Sequence, residues 1–118
     1  MLLLLIDNKM GLLNIIGALD FSASSDREEK PGTKILFNGE RRQIIEISLQ
    51  GSGVLKEHRV GDPITVLCIA GRGTFQAGDD LSEMAALEPG ILLTLEPNIL
   101  HEVRAETYLK FLLTRFKK

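Results

Sequence analysis

The chain has 118 residues and a formal net charge of −2. That length suits one domain with one core, and the charge lacks the basic excess that would neutralise nucleic-acid phosphates or an anionic membrane surface. Hydrophobic residues make up 44% and charged residues 25%, which excludes a disordered chain.

The N-terminal run Leu2 to Ile6 is apolar, but Asp7, Asn8 and Lys9 end it after five residues. A secretory signal needs a longer apolar stretch, and a spanning helix needs about 20 apolar residues. The run reads as an edge strand, or as an extension upstream of a start at Met10. Leu12, Ile15, Ile16 and Leu19 have the spacing of one face of a short helix, although Gly11 and Gly17 disfavour one. The alternative is an extended or irregular segment packed on the main domain or on a partner subunit. Residues 22–32 are polar and end in Pro31-Gly32, a loop with a turn signal. Residues 1–32 therefore form an N-terminal extension and loop, and 33–118 the main domain.

From Thr33 the pattern changes to short apolar runs punctuated by Gly, Pro, Asn and Asp. Strands are predicted at 34–37, 43–49, 54–58, 64–70, 74–76, 83–87, 91–95, 101–105 and 108–115. Regularly spaced short strands predict an all-β sandwich or barrel. Gly71-Arg72-Gly73 reads as a tight hairpin turn rather than a phosphate cradle, because no helix follows it. The run Ile91-Leu92-Leu93-Thr94-Leu95 is apolar on both faces. One face lines the interior, and the other calls for a cover, which predicts a homodimer. The single cysteine, Cys68, lies in an apolar run, so it reads as a small buried hydrophobe. One cysteine allows no disulfide within the chain and points to a reducing, cytoplasmic setting.

Two stretches resemble the paired motifs of the cupin superfamily. The first is Gly53 through Phe75, which includes His58 and Gly71-Arg72-Gly73. The second is Leu87 through Val103, with Pro89-Gly90 and then Pro97-Asn98-Ile99-Leu100-His101. The chain is most similar to the small, single-domain RmlC-like bacterial cupins. The resemblance runs from about Thr33 to the C-terminus and implies an all-β jelly-roll barrel, a double-stranded β-helix.

In metal-binding cupins the first motif supplies two histidines and a glutamate, and the second a third histidine. Together they hold iron, manganese, zinc or nickel. The resemblance places these positions on His58, Val60, Ile64 and His101, so two of the four are aliphatic here. Asp62 shares a strand face with His58 if the chain stays extended, and it is the candidate third ligand beside His58 and His101. Two neutral imidazoles alone make a weak metal site. The expected pocket holds His58, Val60, Ile64 and His101, with Leu93 or Leu95 adding to its wall. An apolar cavity with two polar groups suits a small organic ligand. A metal-dependent oxygenase, isomerase or lyase is the alternative. The sequence assigns no catalytic residue and leaves binding protein and enzyme both open.

Overall fold

The computed structural model describes residues 9–10, 12–17, 19, 32–51 and 53–118. Nine strands follow in chain order, and no helix occurs among the described residues. They are β1 (Lys9–Met10), β2 (Leu13–Asn14), β3 (Gly32–Asn38), β4 (Arg42–Gln50), β5 (Val54–His58), β6 (Ile64–Ala77), β7 (Glu83–Leu87), β8 (Leu92–Leu95) and β9 (His101–Phe116). The apolar run 2–6 and residues 22–31 of the expected loop lie outside the described residues, and Gly32 belongs to β3.

The N-terminal segment takes the extended alternative. β1 and β2 pair antiparallel, with Met10 opposite Leu13. Gly17 has a φ of 109°, which no α-helix accommodates. The helical spacing of Leu12, Ile15, Ile16 and Leu19 is therefore not realised.

The long strands β6 and β9 organise the rest. The 108–116 half of β9 pairs with β4 on one side and with the first half of β6 on the other. β8 extends that sheet beyond β6, and β3 extends it beyond β4. The 101–105 half of β9 pairs with β5 and with residues 73–77 of β6, and β7 lies beyond β6. Two sheets thus share two strands that bend from one to the other. This is a jelly-roll.

The bend is where the sequence reading needs correction. Gly71-Arg72-Gly73 makes no hairpin turn. β6 runs straight through it, with register shifts between Cys68 and Ala70 and between Gly71 and Gly73. The glycines serve a close crossing. A Cβ on Gly71 would collide with the Tyr108 carbonyl, and one on Gly73 with the Arg104 carbonyl. Without side chains there, the backbones of β6 and β9 approach and turn the corner together.

The inward faces of both sheets meet in one core. Val66, Leu87, Leu109 and Phe111 are fully shielded from solvent, each worth about 1.5–3 kcal/mol in apolar burial. Cys68 belongs to this core. Burial in apolar surroundings pushes its thiol pKa up, so it is no nucleophile at neutral pH.

Candidate functional site

β5 ends on His58 and β9 begins on His101, and the two are register partners. Directly opposed residues of an antiparallel pair project to the same face. Their rings lie with centroids 4.3 Å apart, tilted by 57°. The pairing that the two motifs imply is thus a consequence of strand register.

Each ring is held from behind in the same way. His58 Nδ1 bonds the Lys56 carbonyl at 2.8 Å, and His101 Nδ1 bonds the Ile99 carbonyl at 2.9 Å. A carbonyl oxygen only accepts, so Nδ1 carries the proton in both rings. In the neutral form each Nε2 is left as a lone pair. His101 is 1% exposed, and its Nε2 has no hydrogen-bond partner. Phe75 stacks on its ring, nearly parallel at 5.5 Å between centroids. Burial drives the His101 pKa down, the neighbouring His58 adds to the shift, and the bond to Ile99 opposes it. The shift favours the neutral ring.

The loops around the pair are tied by Arg59. Its guanidinium donates to the Asn98 carbonyl at 2.8 Å and meets Asp79 at 3.3 Å. Asn98 takes a left-handed φ of 66° and donates its backbone N–H to the Val60 carbonyl at 2.8 Å. Arg59 thereby steadies the turn whose next residue, Ile99, orients His101.

The other expected site residues fall elsewhere. Asp62 does not join the histidines, because its carboxylate pairs with Arg115 at 3.0 Å. Ile64 is 1% exposed in the core, and Val60 packs against that core. Among the described residues, no group of three or more His, Cys, Asp or Glu side chains could hold a metal ion. Imidazoles fixed through Nδ1 and left with an Nε2 lone pair are the arrangement a metal would use, but a catalytic ion needs about three protein ligands. The donor set of the described residues does not fit the metal that cupins of the metal-binding kind carry.

Beside the pair, a cleft of about 170 Å³ opens between β7 and β8, the outermost strands of the two sheets. Its walls are Phe75, Ala77, Glu83, Met84, Ala85, Leu93, Thr94 and Leu95. Leu93 and Leu95 line it, but none of His58, Val60, Ile64 and His101 does. Phe75 was missed, although the Gly73, Phe75, Ala77 alternation puts it on the inner face. It is the wall shared by the cleft and the histidine pair.

The fold matches solved structures over most of the chain. A cupin superfamily protein from Desulfitobacterium hafniense aligns with a TM-score of 0.70 and 18% identity, over 78% of this chain and 82% of that one. The protein has a cupin fold. An RmlC-like cupin from Desulfovibrio desulfuricans aligns at 0.67 and 21% identity, covering 92% and 97%. An RmlC-like cupin from Methanocaldococcus jannaschii, described as a double-stranded β-helix, aligns at 0.68 and 19% identity over 77% and 84%. No protein-family model and no curated protein matches the sequence. The likeness to these proteins is one of fold. No described helix is long and apolar enough to cross a membrane.

Proposed function

We propose that this cupin is a metal-independent binding protein that takes a small organic molecule at the His58–His101 pair. The observation that carries the reading is the buried, unpartnered Nε2 of His101. A buried polar atom without a partner costs on the order of 1–3 kcal/mol, and a ligand would offset that cost. The adjoining apolar cleft suits the body of such a ligand. A dry apolar cavity of about 150 Å³ accepts a benzene ring, so the cleft takes a ring-sized group.

Metal analysis of the purified full-length protein tests the reading. After equilibration with iron, zinc, manganese and nickel salts followed by desalting, well under one equivalent of any metal is expected. Stoichiometric metal that disappears in both His58→Ala and His101→Ala would overturn it in favour of a metal-dependent enzyme.

We also propose that two copies pair through the β7–β8 side. Leu92, Met84 and Ile91 are exposed there, and residues 91–95 carry no charge. Two copies of the uncharged β8 stretch can therefore meet about a twofold axis without charge repulsion between them.

A further inference from the structure

The polarity of the histidine pair limits what its ligand can be, given the binding role proposed above. Both Nδ1 protons are committed to backbone carbonyls at 2.8 and 2.9 Å. In the neutral form neither ring has a second proton to give. What the pair offers is acceptors alone: two Nε2 lone pairs on rings 4.3 Å apart. The buried one lacks any partner. Phe75 stacks on one face of the His101 ring, and His58 lies against the same ring.

We infer that the site selects ligands whose polar head is an uncharged hydrogen-bond donor, a hydroxyl or an N–H on an apolar ring-sized body, and rejects carboxylates. A carboxylate would set its own lone pairs against those of Nε2. An ether of the same shape would bring no proton and leave Nε2 unsatisfied. A hydroxyl donates its proton to Nε2 and satisfies the buried acceptor.

The test compares phenol, anisole and benzoate, three probes of one ring size that differ in the donor. The imidazole nitrogens of the ¹⁵N-labelled full-length protein are followed by long-range ¹H–¹⁵N spectra at pH 7.5. The free protein is expected to show His101 protonated on Nδ1 and bare on Nε2. Phenol is expected to shift the His101 Nε2 resonance and to bind at least about tenfold more tightly than anisole or benzoate, the difference of one hydrogen bond to a buried acceptor. A proton found on Nε2 of the free protein overturns the inference by itself. Benzoate or anisole binding as tightly as phenol overturns the donor rule but leaves the pocket standing. If none of the three moves the His101 resonances, the pocket reading falls, and the donor rule with it.

Discussion

His101 carries an acidic liability that follows from its burial. Its unfolded-state pKa is about 6.5, and desolvation lowers the folded value. Below about pH 6.5 the unfolded chain therefore binds a proton that the folded chain does not. Stability is complete above that pH and falls as pH drops toward the depressed folded pKa, by up to about 1.4 kcal/mol per pH unit. Urea midpoints measured between pH 7.5 and 5.5 should show this slope, and His101→Leu should flatten most of it. An equal slope in that variant would place the effect on another group. The residues that the resemblance assigned to this site behave unevenly. His58 and His101 sit opposite each other because strand register puts them there, so two motif positions sufficed to locate them. Asp62 could not be placed that way. Its partner Arg115 lies 53 positions on, and whether a turn carboxylate faces a cavity or a distant guanidinium depends on tertiary packing.

At the scale of elements, the bend shared by β6 and β9 is the feature most exposed to a single substitution. Gly71 combines a φ of 80° with a backbone carbonyl where a Cβ would stand. Gly51 has a φ of 60° and open space around it. Gly71→Ala should cost about 3 kcal/mol, the sum of left-handed strain and a backbone clash. Gly51→Ala should cost about 1 kcal/mol from strain alone. Chemical denaturation of both variants separates the two terms, and equal losses would mean that the crossing relaxes freely. The strand positions were legible because alternation and turn residues act locally. β5 and β7 occur at the predicted 54–58 and 83–87. The continuity of β6 and β9 was not legible. A glycine that admits a turn and one that admits a neighbouring backbone look alike in sequence, and only the strand crossing overhead tells them apart. For the same reason Phe75 was taken as an ordinary strand residue. Its place between cleft and histidine depends on which sheet the second half of β6 joins.

At the scale of the whole molecule, the two shared strands leave β7 and β8 as the ends of their sheets. An outermost strand presents unpaired backbone groups, and apolar side chains beside them invite association. Here Leu92 is 64% and Met84 67% exposed, while Leu93 and Leu95 on the same strand turn inward to the core and cleft. The doubly apolar run thus divides its two faces between the interior and the surface, and the surface half needs a cover. The proposed homodimer supplies one and closes the open side of the cleft, since Met84 belongs to both. Sedimentation velocity at micromolar concentration should give a species of twice the 13.0 kDa chain mass. Leu92→Lys should shift it toward the monomer by placing two like charges across the twofold axis, without disturbing the core. A monomer in the unsubstituted protein would leave the cleft open to solvent and remove the dimer from the account. A dimer unmoved by Leu92→Lys would place its interface on another face of the barrel.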